Sequence, residues 1–302
     1  MNISICISTY QRPERLSALL TDLSRQRCLP QEVIVVDNDA AGSARGSVEC
    51  ARRDGAPFPI LYDIEQRKNV ALTRNCSVAL ASSDWLAFID DDERAPRDWL
   101  AGLASAAETY EADCVLGPVE PLLPADAPNW LQRGRFYDWA RMLSGTVVPL
   151  NQLRFGNVLL NAAMLRSLNP MFDPAYGLTG GEDGDVLTRL AQNGARIVWC
   201  DEATVTEPVE ASRLSLRWLL LRSMRGGQDF ARHTLSGRYG QITPLRRARF
   251  FLRALTQLFV AIGLSVLVLP LGRHRAAYWL TKVSANLGKL SSFGGLHYRE
   301  YA

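Results

Sequence analysis

The chain has 302 residues, of which 47% are hydrophobic and 22% are charged. This length and composition allow a large buried core and exclude a chain that is mainly disordered. Charge is unevenly distributed: residues 212–302 carry 15 Lys+Arg and 2 Asp+Glu, a net +13, whereas residues 1–211 carry 19 and 29, a net −10. Net charges of opposite sign indicate that the two parts of the chain have separate functions. The basic part is expected to bind an anionic partner.

Strand-like and helix-like patterns alternate over the first two hundred residues. Apolar runs predict strands at 2–8, 32–37, 60–64, 85–90, 114–119, 155–161 and 196–200. Helical spacing predicts helices that begin at Pro13 and that cover 69–81, 99–110 and 182–193. Residues 118–149, with five prolines, are expected to form an irregular loop. The alternation predicts an α/β fold with a Rossmann-like, mostly parallel sheet and helices on both faces.

The last third of the chain predicts a helical, membrane-associating extension. Residues 214–225 are amphipathic, and residues 254–271 carry no charge but have arginines on both sides. Eighteen residues lie at the lower limit of a membrane span, which needs about 20. We favour a helix that lies in the membrane interface, with a span or a buried soluble helix as alternatives.

The cysteines and the N-terminus indicate a cytoplasmic protein. None of the six cysteines forms a Cys-x-x-Cys pair, so a zinc site is not expected, and most lie in apolar runs as reduced thiols do. The first apolar run is too short for a signal peptide, and Arg12 and Pro13 follow it directly. We expect the cytoplasmic face of the inner membrane as the location.

Asp90, Asp91 and Asp92 directly follow an apolar strand. Consecutive carboxylates repel one another, and their oxygen ligands suit Mg²⁺ or Mn²⁺. The alternative is a solvated acidic turn that caps the next helix. Ligands of open α/β sheets bind at the carboxyl ends of strands, which favours the metal site.

Three further clusters occupy similar positions. Asp37, Asn38 and Asp39 end the second strand, where they suit a nucleobase or ribose but also an ordinary turn. Ser8, Thr9, Tyr10 and Arg12 end the first strand, where they suit a base and a phosphate but also a helix N-cap. Gly180 and Gly181 precede Glu182 and Asp183 at a helix start, where a carboxylate suits a general base or simply the helix dipole.

In this order, the motifs S-T-Y-x-R, V-V-D-N-D, I-D-D-D and G-G-E-D resemble the family 2 inverting glycosyltransferases of the GT-A fold, over about residues 1–235. The resemblance implies a nucleotide-diphosphate sugar donor, with a UDP-sugar favoured. Together with the change of charge at residue 212, it predicts a catalytic domain at 1–211 and a membrane-associated region at 212–302. Within the catalytic domain, 1–120 would bind the nucleotide-sugar and 121–211 the acceptor. The tail is similar to that of bacterial exopolysaccharide glucosyltransferases of the succinoglycan type, which implies a hexose and a lipid-linked acceptor.

The resemblance also implies roles for individual residues. Asp183 would be the catalytic base, Asp90 and Asp92 would hold the metal, and Asp91 would face the ribose and the metal–diphosphate. The implied donor-binding residues are Ser8, Thr9, Tyr10, Arg12, Asp37, Asn38, Asp39, Arg74, Asp90 and Asp91. Many relatives carry a histidine metal ligand where this chain has Glu207, so that Glu207 replaces it or the ligand is missing. Arg217-Trp218 resembles part of an acceptor-side signature of processive synthases, but the glutamine-bearing part of that signature is missing from this chain.

Two other classes of protein remain as alternatives. A sugar nucleotidyltransferase also combines a parallel sheet with metal-bound carboxylates, but residues 8–12 lack its glycine-rich phosphate loop. An inactive membrane scaffold is disfavoured by the intact acidic motifs. Nucleic acid is not an expected partner, because the basic tail is rich in Leu, Val and Phe.

Overall fold

The computed structural model describes residues 1–177, 180–237 and 241–294. These residues form two compact units. The first contains Met1–Pro121 and Trp139–Glu207, and the second contains Leu122–Asp138 and the described residues from Pro208 onward. The functional roles assigned to 1–211 and 212–302 remain predictions.

A seven-stranded sheet forms the centre of the first unit. Its strands are β1 (Ile3–Thr9), β2 (Glu32–Asp37), β3 (Ile60–Ile64), β4 (Trp85–Phe88), β5 (Cys114–Leu116), β7 (Val158–Asn161) and β8 (Ile197–Trp199). Their order is β3-β2-β1-β4-β7-β5-β8. β7 runs antiparallel to β4 and β5, and the other pairs are parallel. The predicted mostly parallel sheet is therefore confirmed. A small second sheet pairs β6 (Val119–Leu122) with β9 (Val205–Pro208).

Helices cover both faces of this sheet. They are α1 (Pro13–Leu23), α2 (Arg45–Arg53), α3 (Val70–Leu80), α4 (Trp99–Thr109), α6 (Ala162–Arg166) and α7 (Glu182–Gln192). Successive residues of β1 point to opposite faces. Ile5 and Ile7 pack with Leu16 of α1, whereas Cys6 packs in a second apolar cluster with Val78 of α3. The sheet thus lies between two buried cores.

The structure corrects several details of the prediction, and among them the strand predicted at 85–90 ends at Phe88. The strand predicted at 114–119 ends at Leu116, since Gly117 and Pro118 separate β5 from β6. The strand predicted at 155–161 begins only at Val158, because Gly156 has a φ of +102°. α2 was not predicted: its buried residues are only Ser47 and Val48, so it has no apolar repeat.

Four helices characterise the second unit: α5 (Asn129–Gly134), α8 (Leu216–Leu235), α9 (Pro244–Leu267) and α10 (Arg273–Ser291). α5 lies within the proline-rich region that was expected to be irregular. α8 and α10 pack closely enough to require glycine, since a Cβ on Gly227 would lie 2.0 Å from the carbonyl oxygen of Ala285. Within the described residues, α9 is the helix that is long and apolar enough to cross a membrane, by length and composition alone.

Candidate active site

The loops after β1 and β4 are tied together by ion pairs. β1 and β4 are parallel neighbours, so their carboxyl ends meet at one edge of the sheet. The hydroxyl of Thr9 donates to Oδ2 of Asp91 at 2.7 Å. Arg12 Nη1 donates to Oδ1 of Asp91 at 3.0 Å and to Oδ2 of Asp92 at 2.9 Å. Arg15 Nη1 reaches the same Asp92 oxygen at 3.3 Å. The first and third predicted motifs therefore form one cluster.

The second predicted motif borders this cluster, but Asp37 is used inside the protein. Its carboxylate is fully buried and accepts hydrogen bonds from the backbone N–H groups of Asp39 at 2.9 Å and Ala44 at 2.8 Å. The hydroxyl of Tyr62 donates to it at 3.1 Å, and burial together with Asp37 raises the pKa of Tyr62 to about 12. Asp37 thus shapes the turn that follows β2.

Asn38 and Asp39 hold the adjoining loops. Asn38 Nδ2 donates to the carbonyl oxygens of Glu65 at 3.0 Å and Arg67 at 2.7 Å, and its Oδ1 accepts from the backbone N–H of Asn69 at 2.8 Å. Asp39 accepts from the N–H of Ala41, and this hydrogen bond is the main cause of a lowered pKa of Asp39. The contacts of Asn38 bring the loop before α3 to the edge where β1 and β2 end.

The loop after β1 exposes an aromatic ring at this edge. Tyr10 is 39% exposed, and the amino group of Lys68 lies 5.0 Å from the centre of its ring. Gln11 has a φ of +54°, so the chain turns sharply between Tyr10 and Arg12. Ser8, just before, is half-buried. A partly exposed ring with a cation nearby is suited to contact an aromatic base.

Arg74 connects the acidic turn after β4 with the start of α7. Its guanidinium donates to Oε1 of Glu182 at 2.6 Å and lies 3.6 Å from Oδ1 of Asp90. The carbon of the guanidinium lies 4.5 Å from the ring centre of Phe155 and 5.8 Å from that of Phe172. Both Arg74 and Glu182 are more than nine-tenths buried. The fourth predicted motif is thus linked to the third through one buried cation.

The acidic turn after β4 contains more carboxyl groups than its motif suggests. Burial raises the pKa of Asp90 to about 7 although Arg74 opposes the shift, and Asp92, Asp91 and Glu207 raise it further. The Asp90 side chain nevertheless keeps 49% of its surface exposed. Glu93 is 2% exposed, and burial followed by Asp90 and Asp92 raises its pKa well above the usual range. This crowding places a half-exposed carboxylate among like charges.

Backbone pairing brings Glu207 to this turn. The N–H of Arg94 donates to the carbonyl of Thr206 at 2.8 Å, and the N–H of Thr206 donates back at 3.1 Å. This antiparallel bridge places Glu207 beside Glu93, and Glu207 acts electrostatically on both Asp90 and Glu93. Glu207 therefore lies beside the acidic turn, and its role as a replacement for the histidine of many relatives stays a prediction.

Asp183 lies in the first turn of α7. Gly181 is the N-cap residue with a φ of +99°, and Gly180 has a φ of +78°, conformations that favour glycine. The adjacent Glu182 turns inward to Arg74, whereas Asp183 stays half-buried and accepts from the N–H of Gly184 at 2.7 Å. Glu182 and Asp183, which follow the double glycine, therefore lie in different environments.

Sequence reasoning missed several residues that shape the site. Glu93 sits in the same acidic run, but its burial could not be read from that run. Gly156 is required because a Cβ there would lie 2.9 Å from Glu93 Oε1 and 3.4 Å from Asp90 Oδ2. Phe155 and Phe172 enclose Arg74 from segments far apart in sequence. The one available signal was the arginine itself within an apolar helix, since a buried arginine needs partners.

With this geometry established, comparisons with known proteins decide the family. The family model described as glycosyl transferase family 2 matches residues 4–168, which span β1 to α6 and include the turns after β1, β2 and β4. The chain belongs to glycosyl transferase family 2. The resemblance stated for the sequence is thereby confirmed.

A curated relative of this glycosyl transferase family 2 chain covers most of its length. The succinoglycan biosynthesis protein ExoM of Rhizobium meliloti is 38% identical over 243 residues, which are 77% of this chain and 75% of ExoM. The aligned region is longer than the 165 residues that the family model matches.

Solved structures show the same fold. The mannosyltransferase PcManGT from Pyrobaculum calidifontis, in complex with GDP-Man and Mn²⁺, superposes with a TM-score of 0.67 at 16% identity and covers 97% of this chain and 87% of that chain. TarS from S. aureus in complex with UDP-GlcNAc gives 0.56 at 17% identity, with 99% and 93% covered. At these identities the likeness shows the GT-A fold alone, which confirms the predicted fold class.

Proposed function

We propose that this family 2 glycosyltransferase transfers a hexose from a UDP-sugar, with inversion, to a hydroxyl group of a lipid-linked oligosaccharide in exopolysaccharide synthesis. The name of ExoM supports the pathway class, and TarS supports a UDP-sugar. PcManGT is in complex with GDP-Man, so experiment must decide whether the donor of this chain carries UDP or GDP. Family membership argues against the sugar nucleotidyltransferase, and the intact acidic motifs argue against the inactive scaffold.

One observation carries the proposal: a continuous path of contacts joins the β1 loop, the acidic turn and the helix with the base. Arg12 bridges Asp91 and Asp92, Asp90 precedes them, and Arg74 joins Asp90 to Glu182, the neighbour of Asp183. A transferase needs its donor diphosphate site and its acceptor base within reach of one anomeric carbon. The contacts that link the separate motifs support such an arrangement.

Individual roles follow from exposure. Tyr10 offers an accessible ring to the base, with Ser8, Thr9 and Asn38 around it, while Asp37 and Asp39 shape the adjoining turn. Arg12 is about one-third exposed, and it faces the donor phosphates when it exchanges its aspartate partners for them. Asp183 accepts the proton of the acceptor hydroxyl, whose oxygen attacks the anomeric carbon opposite the diphosphate.

The chemistry of Asp90 fits a divalent cation. Its half-exposed carboxylate lies among Asp91, Asp92 and Glu207, whose negative charges disfavour the charge of Asp90 and favour a cation there. Within the described ranges, no three His, Cys, Asp or Glu side chains are arranged so that they could hold a metal ion together. Asp90 and Asp92 would hold Mg²⁺ or Mn²⁺, and Asp92 would release Arg12 and Arg15 to do so. The ion would stabilise the charge of the leaving diphosphate.

The acceptor and the location are proposed from the second unit. Its apolar helix α9 and its basic residues suit a membrane surface on the cytoplasmic face, where a lipid-linked acceptor would be held.

Glu207, beside Glu93, is proposed to add negative charge to the metal site in place of the histidine of many relatives.

Substitution of the base tests the function. Asp183→Asn keeps the shape of the side chain but removes its basicity, so kcat for nucleotide release should fall by about 10²–10⁴-fold. The Kd for the donor should stay unchanged, since the base faces the acceptor. Asp98→Asn, at an exposed surface carboxylate, is the matched control and should leave both values unaltered. Equal turnover in the two variants would remove Asp183 as the base.

A further inference from the structure

The surface of α9 is apolar along a single line. Leu245, Leu252, Phe259 and Val266 follow one another at intervals of seven residues, which places them along one side of a helix. Their side chains are 62%, 60%, 64% and 68% exposed. Val260 and Leu267 widen the line on one side, and both are also more than half exposed. The helix therefore presents large apolar side chains outward.

The burial pattern of α9 is the reverse of that in a helix of a water-soluble protein. The buried residues are Ala254, Leu258, Ala261 and Ser265, three of which are small. A helix of a water-soluble protein buries its large apolar residues and exposes polar ones. Here the large residues face outward, so packing within the unit does not account for them. A contiguous apolar surface of this kind marks an interaction site.

Arginines border the apolar line. Arg246, Arg249 and Arg253, spaced by three and four residues, form a second exposed row on the same helix. Arg273 and Arg275 follow directly after the apolar segment. A row of cations beside an apolar row complements an anionic lipid surface, whose headgroups pair with guanidinium groups while the acyl region receives the apolar side chains.

We infer that α9 lies in the plane of an anionic membrane, with Leu252 and Phe259 in the acyl boundary and Arg249 and Arg253 at the headgroups. α10 packs against both α8 and α9, so an α9 that spanned the membrane would carry the other two helices into it. Lys289 of α10 donates to Gln257 of α9 at 3.4 Å, and Lys282 and Arg222 lie on the same bundle. A spanning position would carry these charges into hydrocarbon, whereas an in-plane position leaves them outside it.

Vesicle flotation of the full chain tests the surface. The inference deepens the membrane partner proposed above, but flotation needs no sugar, and nucleotide release without vesicles reports the chemistry separately. The wild-type protein should float with vesicles of phosphatidylglycerol and phosphatidylcholine, and it should bind pure phosphatidylcholine more weakly. The double change Leu252→Gln and Phe259→Gln should weaken partitioning about tenfold or more, since it removes apolar area from the lipid boundary.

Matched controls separate the apolar and the charged contributions. Leu143→Gln, at an 84% exposed leucine of the first unit, should leave flotation unchanged. Arg249→Gln with Arg253→Gln should reduce binding to anionic vesicles only, and binding should fall between about 0.1 M and 1 M salt as the Debye length shortens from about 10 Å to 3 Å. Arg25→Gln with Arg53→Gln, two exposed arginines of the first unit, should have no effect.

Two results would overturn the inference. If the wild type fails to float and sediments as a dimer that the Leu252 and Phe259 changes dissociate, a second copy covers the apolar line instead. In sealed vesicles, Gln241→Cys and Arg275→Cys flank the helix, and an impermeant maleimide added outside should label both positions. Peptide mapping separates them from the native thiols. Labelling at only one of the two positions would show a membrane span.

Discussion

At the scale of single residues, the site depends on one buried arginine. Arg74 lies against Phe155 and connects Glu182 with Asp90. An arginine within the apolar helix α3 was the one sequence signal of its burial, but its partners could not be predicted, because they lie far along the chain. Local sequence predicts the carboxylates of the site, since they lie just after a strand or, like Asp183, in the first turn of a helix. Their cross-connections depend on tertiary packing.

Removal of Arg74 should therefore cost stability as well as activity. Arg74→Met fills similar volume but leaves Glu182 buried without its cation, and loss of one partner of a buried ion pair costs about 3–5 kcal/mol. Urea unfolding of Arg74→Met and of the exposed control Arg53→Met measures the difference. If the free energies of unfolding agree within about 0.5 kcal/mol, the Arg74–Glu182 pair does not stabilise the fold.

Glu32 is a second buried carboxylate with a distinct pH signature. Burial alone would raise its pKa, but hydrogen bonds from Ser4 Oγ at 2.6 Å and from the N–H and Oγ of Ser82 at 2.7 and 2.8 Å outweigh burial and lower the pKa. A carboxyl group with a lowered folded-state pKa stabilises the fold above its unfolded pKa. That stability is lost as the pH falls through the folded value.

Glu32→Gln should accordingly reduce the free energy of unfolding at pH 7 by about 1–3 kcal/mol. The deficit relative to the wild type should shrink as the pH is lowered from 5 towards 3. Denaturant unfolding over this pH series is the measurement, with Glu49→Gln, at an exposed residue of α2, as control. A deficit that stays constant with pH would mean that packing at Glu32 matters and its charge does not.

At the scale of elements, most strands and helices could be predicted because their apolar periodicity is strong. β2 and β3 have the predicted bounds, and α7 begins at the predicted Glu182. The misses have physical causes: α2 lacks an apolar stripe, and β6 and α5 lie in a proline-rich stretch. The antiparallel direction of β7 depends on the path of the connecting chain, which local patterns do not encode.

Two adjacent glycines in α8 offer an internal comparison of helix packing. A Cβ on Gly226 meets nothing within 4 Å, whereas one on Gly227 would collide with Ala285 of α10. Gly226→Ala should stabilise the protein by about 0.5–1 kcal/mol through helix propensity. Gly227→Ala should destabilise it by about 1–3 kcal/mol, because α8 and α10 must separate.

Thermal or denaturant unfolding of the two alanine variants measures this contrast. Equal effects of Gly226→Ala and Gly227→Ala would show that α8 and α10 do not pack at the distance described. The pair needs no separate control, since each residue serves as the control for the other.

At the scale of the whole molecule, charge and chemistry are divided between two parts of the chain. The acidic first part carries the carboxylates of the site, and the basic last part carries α9 with its outward apolar line. Composition predicted this division, but it did not predict which side of α9 is exposed. Truncation before α9 would also remove α10, the packing partner of α8, so substitutions on the surface of α9 test membrane binding more cleanly.

The central claim is that carboxylates from separate segments converge on a cation and a nucleotide-diphosphate sugar. Nucleotide release by the full chain from UDP-, GDP- and dTDP-sugars, with Mn²⁺, Mg²⁺ or a chelator, tests it most directly. We expect UDP release that requires the metal and that falls about tenfold or more in Asp92→Ala, since the cation then loses a carboxylate ligand. Undiminished release both in chelator and in Asp92→Ala, or release from none of the donors, would contradict the account.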